Sequence, residues 1–467
     1  MNPVGGFDLQ SIIDAYGGKP TAQDVAHLNP RFHDLLRLTG LDRRFVEGHG
    51  PWLIDDSGRR HLDAIGGYAC LAVGRNHPVI RQALEQVLAA GLPGLIQFEV
   101  PPLAVALADR LKRFVDRTED RVFFVNSGTE SVEAAMKICR AATGRPGFAH
   151  WSNAFHGLTM GALSLNGSEW LRRGFRPLVP GCREVPFGDL KALRTTLEDR
   201  SIAAFFYEPI QGKGVVEHES GLLQEVAEIC RQTGTLLVAD EVQTGLGRTG
   251  ATLASRQEGV EPDLVCLSKV LSAGTVPVGA VIGRTEIFDR VFDSVERSVV
   301  HSSTFRENPL AMVTGLATLQ VLEDEDLVRR SAELGRRITA GLKTDSGWAT
   351  GIREVRGRGL MIGVELDPAA MAFDLPGFGA RTPTLVAQAV ALRMLETHAI
   401  LVQSTAKSSS VIKIVPPLVI GESEADLIAD ALLETLAELG RGRGAAIRGL
   451  IDMLSRAPDV VLRETFR

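Results

Sequence analysis

The sequence predicts an α/β protein: a large domain with a mainly parallel sheet flanked by helices, joined to a smaller α+β domain built from both chain ends. Three observations support this. From about residue 75 to 330, short apolar runs rich in β-formers alternate with longer helical patterns, as expected where crossover helices bury both faces of a parallel sheet. Four of these runs, at 122–125, 203–207, 236–239 and 264–267, stop at polar clusters. The flanks, 1–74 and 331–440, mix strand and helix patterns without that alternation. The expected division is 1–74 and 331–440 for the small domain, 75–330 for the large one, and an extension at 441–467.

Bulk properties narrow the partners. A chain of 467 residues exceeds one ordinary core and can enclose a deep cleft. Its 45% hydrophobic and 23% charged residues are ordinary for a folded globular protein and exclude disorder. A net charge of −6 with both signs scattered argues against nucleic acid or an anionic membrane, which call for a basic stripe. Small molecules are the expected partners. The five cysteines, Cys70, Cys139, Cys182, Cys230 and Cys266, fit no metal-ligand spacing and read as free thiols of a reducing compartment. No metal is expected. With no leader pattern and no long apolar window, a cytoplasmic location is expected.

Each strand then delivers a polar group. The first ends at Asn126, and Ser127-Gly128-Thr129-Glu130 opens a helix whose apolar face is Val132, Ala135, Met136 and Cys139, closed by Gly144. The S-x-x-E spacing allows a capping box, and the helix N-terminus is either an ordinary cap or an anion site to which the Ser and Thr hydroxyls add donors. The second ends at Glu208. The third ends at Asp240, whose carboxylate at the base of a crevice needs a cationic partner, or else caps a turn or pairs with an Arg. The fourth ends at Lys269, whose amine is either an ordinary surface group or, in apolar surroundings, a nucleophile of lowered pKa. In open α/β sheets such strand ends share one crevice. Phe155-His156-Gly157 offers an aromatic face beside a polar ring, and Thr304 a loop hydroxyl. Farther on, 368–384 reads as a loop, and a helix starting near Ser423 should bury Ala425, Ile428, Leu432, Leu436 and Leu439. In the extension, Ile447, Leu450, Ile451 and Leu454 are spaced as in a further helix.

Six ordered stretches carry a family likeness: N-S-G-T-E-S-V-E-A-A at 126–135, F-H-G-L-T-M-G-A-L-S at 155–164, E-P-I-Q-G at 208–212, A-D-E-V-Q-T-G-L-G-R-T-G at 239–250, P-D-L-V-C-L-S-K at 262–269 and S-S-T-F at 302–305. Over residues 40–440 the chain resembles the class III, fold-type-I pyridoxal-phosphate aminotransferases, among them ornithine, acetylornithine, putrescine and diaminobutyrate aminotransferases. The resemblance implies pyridoxal 5'-phosphate held as a Schiff base by Lys269, which also moves the proton, with Asp240 on the pyridinium nitrogen. It further implies Ser127, Gly128 and Thr129 at the phosphate, Phe155 and Val242 on the two ring faces, and Gln243 near the ring hydroxyl, with His156 and Glu208 beside them. Thr304 would reach the neighbouring subunit's phosphate, making a homodimer with shared sites.

The implied activity is ping-pong transfer of an amino group from a terminal primary amine or amino acid to a 2-oxo acid; an aminomutase or racemase on the same fold is the alternative. Departures concern the substrate. Where relatives acting on amino acids carry a Glu after E-P-I-Q-G and an Arg before P-P-L, this chain has Lys213 and Lys413. Two lysines cannot form the neutralising pair, and lysine lacks arginine's bidentate fork. Arg306 and Glu307 stand where glycines are usual, and Tyr68 is either a substrate contact or a structural aromatic.

Overall fold

The computed structural model describes residues 6–17, 25, 27–345, 347–371, 382–405, 410–440 and 455–456. Strands β1 (Phe45–His49), β2 (Trp52–Asp55) and β3 (Arg60–Asp63) come first, followed by β4 (Arg121–Val125), β5 (Gly147–Trp151), β6 (Cys182–Val185) and β7 (Ile202–Tyr207). The short β8 (Ile210–Gln211) and β9 (Val216–Glu217) pair with each other. After β10 (Leu236–Asp240), β11 (Leu264–Leu267) and β12 (Gly279–Gly283), a second short pair is formed by β13 (Lys343–Thr344) and β14 (Gly347–Trp348). The remaining strands are β15 (Ile352–Arg358), β16 (Met361–Leu366), β17 (Ile400–Leu401), β18 (Gln403–Ser404) and β19 (Val411–Ile414).

The central sheet has seven strands in the order β4-β12-β11-β10-β7-β5-β6. All neighbours are parallel except β12, which runs antiparallel to both β11 and β4. The four strands expected from the apolar runs are β4, β7, β10 and β11. Burial on both faces explains their composition: every residue of β7 and β11 is buried, so no alternation survives in the sequence. β12 reads less clearly because its Gly-Ala-Val-Ile-Gly run is short and flanked by glycines.

The helix Gly128–Thr143 packs on this sheet through Val132, Ala135, Met136 and Cys139, and Gly144 ends it in the left-handed region at φ 70°. Its N-terminus thus lies directly at the end of β4. Near the other end of the chain, the helix Glu422–Leu439 buries Ala425, Ile428, Leu432, Leu436 and Leu439. Two smaller sheets have the orders β1-β2-β3-β17 and β15-β16-β19-β18. In the first, Leu62 of β3 pairs in parallel with Ile400 of β17, joining segments distant in sequence.

Of the loop expected at 368–384, residues 372–381 lie outside the described residues, and the helix Thr382–His398 begins before the expected loop ends. Apart from Ser455 and Arg456, the helix expected in 441–467 also lies outside them. Among the described residues no helix is long and apolar enough to cross a membrane, and no cluster of His, Cys, Asp or Glu is arranged to hold a metal. All five cysteines are free.

Candidate active site

The carboxyl ends of β4, β7, β10 and β11 open on one cavity of about 990 Å³. It receives Ser127, Gly128 and Thr129 from the first, Glu208 from the second, Asp240, Val242 and Gln243 from the third, and Lys269 from the fourth. Phe155, His156, Tyr68, Lys213 and Lys413 also line it. Thr304 does not. It is exposed, and its carbonyl accepts a hydrogen bond from Gln97 Nε2 at 3.5 Å.

Hydrogen-bond capacity decides what the helix end can offer. Ser127 caps the helix, its Oγ accepting from the Glu130 N–H at 3.3 Å. The capping box is only half made, because Glu130 Oε2 accepts instead from the backbone and side-chain N–H groups of Asn126, at 2.7 and 2.9 Å. Thr159 Oγ1 donates to Glu133 Oε1 at 2.6 Å, so it must accept from Thr129 Oγ1, 2.7 Å away. The Thr129 proton is thereby committed, leaving the Ser127 hydroxyl proton and the first backbone N–H groups as donors. Gly128 is fixed by close approach: a Cβ there would stand 2.6 Å from Val242 Cγ1. At Gly157, with φ +124°, it would stand 2.3 Å from Thr129 Oγ1.

Asp240 is 5% exposed and anchored at both oxygens. Oδ1 accepts from the Val242 N–H at 3.1 Å, and Oδ2 meets Nδ1 of the buried His156 at 2.7 Å. Facing a carboxylate, that nitrogen carries the proton. Burial opposes a charged His156 ring, yet the hydrogen bond and charge of Asp240, helped by Glu208, hold its pKa above the ordinary value. Nε2 of His156 is buried without a hydrogen-bond partner among the described residues. Glu208 accepts from the N–H groups of Phe155 at 3.0 Å and Gly212 at 2.8 Å, and its carbonyl meets His218 Nε2 at 3.0 Å. Burial raises the Glu208 pKa despite the opposing charge of His156.

Lys269 opens the 3₁₀ turn Lys269–Ser272 with φ at 26°, a strained setting for a side-chain-bearing residue. Its amine has no hydrogen-bond partner among the described residues, and burial lowers its pKa against the opposing charges of Cys70, Asp240 and Glu208. Lys413, 5% exposed, is tied on two sides: Nζ donates at 2.6 Å to the Gly212 carbonyl and at 2.6 Å to Gln243 Oε1. Burial, then the Lys269 charge, bring its pKa down to about 7. Lys213 is partly buried, and burial lowers its pKa too. Tyr68 is 60% exposed, and its carbonyl accepts from Gln243 Nε2 at 3.3 Å.

Sequence reasoning passed over several groups. Cys70, Asn126 and Trp170 line the cavity. Arg248 is fully buried beside it, donating to the carbonyl oxygens of Leu360, at 3.0 Å, and Pro416, at 2.5 Å. Arg248 lies inside the 239–250 motif, but nothing in that motif says that the guanidinium would reach carbonyls more than a hundred residues away. Glu133 and Thr159 could be found only by knowing which helix meets which loop.

Comparison with known proteins places these features in a family. Residues 40–436 match the family described as aminotransferase class-III. The aminotransferase PigE of Serratia sp. is 38% identical over 92% of this chain and 55% of its own length, so the chain spans about half of that relative. Ornithine aminotransferase of Toxoplasma gondii aligns with a TM-score of 0.80 and 29% identity, covering 92% of this chain and 98% of that one. The omega transaminase of Pseudomonas jessenii, solved in complex with PMP, gives 0.78 and 25% over 92% and 98%.

Proposed function

The chain belongs to the class III aminotransferases, and we propose that it transfers an amino group from a terminal primary amine or amino acid to a 2-oxo acid, with pyridoxal 5'-phosphate bound in the cavity. One observation carries this reading: the Lys269 amine, without a hydrogen-bond partner among the described residues, shares a cavity with a carboxylate anchored beside a cation-prone imidazole. The residues fit the group. Each Asp240 oxygen keeps lone-pair capacity beyond its one hydrogen bond, and a Cβ at Gly128 would fill the approach to the helix end.

In this reading Ser127, Gly128 and Thr129 hold the phosphate through backbone N–H groups and the Ser127 hydroxyl, at the positive end of the helix dipole. Phe155 and Val242 enclose the ring, Gln243 approaches its hydroxyl, and Asp240 meets its nitrogen while His156 fixes the carboxylate. Glu208, holding the Phe155 and Gly212 N–H groups, keeps the stacking loop in place. Pyridoxal phosphate supplies an electrophilic aldehyde and a ring that withdraws electrons from the substrate carbon. Lys269 would be the residue that holds this aldehyde covalently, and its Nζ the base that moves a proton from the substrate carbon. Its lowered pKa makes the neutral, proton-accepting amine more accessible. Ping-pong kinetics would follow, the amine and the 2-oxo acid using the same site in turn. Tyr68, Lys213 and Lys413 stand on the substrate side.

The large domain, 75–330, would carry the cofactor, with 1–74 and 331–440 forming the small domain over it. A homodimer completes the site: Thr304 is exposed outside its own cavity, near a segment whose Phe98 and Val100 are 99% and 76% exposed. Apolar residues so bare call for a covering surface. Five free thiols fit a cytoplasmic setting.

Reconstitution with pyridoxal phosphate should give a visible band, and borohydride should lock the label onto the Lys269 peptide. Adding an amine without a 2-oxo acid should bleach the band once per site. A protein that stays colourless, or a label found on another lysine, would sink the proposal.

A further inference from the structure

Lys413 is a buried amine to which the proposed reaction gives no proton to carry. Two of its three protons are spent at 2.6 Å, on the Gly212 carbonyl and on Gln243 Oε1. In both contacts Nζ is the donor, because a carbonyl or amide oxygen can only accept. Gln243 must therefore turn its oxygen toward Lys413, which sends the NH₂ end the other way, where one N–H goes to the Tyr68 carbonyl at 3.3 Å. The second N–H remains, on a side chain that lines the cavity. The final torsion of a glutamine is soft, so without a neighbour of fixed polarity the amide could present either end. The contact is also close: a Cβ at Gly212 would lie 2.5 Å from Gln243 Oε1, so a side chain there would push the Gln243 amide from its place beside Lys413.

We propose that Lys413 is a positioning residue, which locks Gln243 with its amide N–H toward the cofactor and so makes Gln243 a hydrogen-bond donor to the ring oxygen. This rests on the reading of the cavity as a pyridoxal-phosphate site. It assigns Lys413 a different task from gripping a substrate carboxylate, for which only one unspent proton remains. Burial, then the Lys269 charge, bring its pKa down to about 7, and the neutral amine still has the two N–H groups that these contacts use.

The test is the pH titration of the visible band of the cofactor-loaded protein, with no substrate present. A donor on the ring oxygen favours its deprotonated form, so losing that donor raises the midpoint. Lys413→Met should raise it by roughly one pH unit, and Gln243→Leu by a similar amount. The double variant should match Gln243→Leu alone. An unchanged midpoint in Lys413→Met, or a further shift when it is added to Gln243→Leu, would overturn the proposal, the latter because the lysine charge would then act directly. Lys413→Gln gives an independent arm should Lys413→Met fold poorly. It removes the charge but keeps an N–H donor, so a midpoint near that of the unsubstituted protein supports positioning, and a shift as large as that of Gln243→Leu opposes it. An unsubstituted protein that takes up no cofactor would instead overturn the cofactor reading itself.

Discussion

Lys269 and Lys413 line the same cavity and use their amines in opposite ways. Lys269 has no hydrogen-bond partner among the described residues and sits at a strained φ of 26°, whereas Lys413 spends two protons at 2.6 Å in an ordinary strand, β19. Burial lowers the pKa of both. Burial alone therefore does not separate a reacting amine from a structural one. The difference lies in what each nitrogen already holds: an amine with nothing to give up can form a bond, and one with two fixed acceptors can aim a neighbour.

The sharpest contrast should be in turnover. Lys269→Ala should reduce it at least about 10³-fold, through lost proton transfer and lost covalent attachment, while Lys413→Ala stays within roughly tenfold; single-turnover rates on a common amine would reveal comparable losses if the distinction is false. Next comes Asp240→Asn, which removes the charge that favours protonation of both Lys269 and His156. Turnover should fall by about 10²–10³-fold, and the His156 pKa, followed by NMR, should drop. An unmoved His156 would detach it from Asp240.

Gly212→Ala tests the Lys413 side, because the added methyl would strike Gln243 Oε1. Overpacking should cost about 1–3 kcal/mol in urea unfolding, and a Gln243→Ala background should relieve most of it. The smallest effect is in pH. Between about 7 and the ordinary lysine value of 10.5, the unfolded chain keeps a Lys413 proton that the folded one has released, so this lysine makes stability rise with pH across that window and its burden is greatest below 7. The melting temperature of Lys413→Met relative to the unsubstituted protein should accordingly decline by roughly a few degrees from pH 7 to pH 10. A difference constant with pH would mean that Lys413 keeps its proton when buried.

How far the sequence could be read follows from the range of each interaction. Strands such as 202–207 and the helix at 128–143 declare themselves through local apolar pattern, and the polar group after each strand follows from strand-end geometry. The half-made capping box shows where local rules stop: Asn126 offered the Glu130 carboxylate two competing N–H donors, and spacing alone could not choose. Lys413 was visible as a departure, but its contact with Gln243 spans 170 positions and depends on how two sheets meet. By position alone the Thr129 hydroxyl is a donor for an anion, but Thr159 and Glu133, brought in by a loop and a helix turn, claim its proton.

The parallel pairing of β3 with β17 bears on how the molecule is made. Leu62 leaves the ribosome about 340 residues before Ile400, its partner, so one edge of the first small sheet stays open through most of synthesis. At roughly 5–20 residues per second that interval is on the order of tens of seconds, long enough for an unpaired strand edge to find the wrong neighbour. The central sheet, spanning 121–283, can close well before then. The nascent chain would present a finished cofactor platform with an unfinished flank, and that flank is where a chaperone would be expected to act.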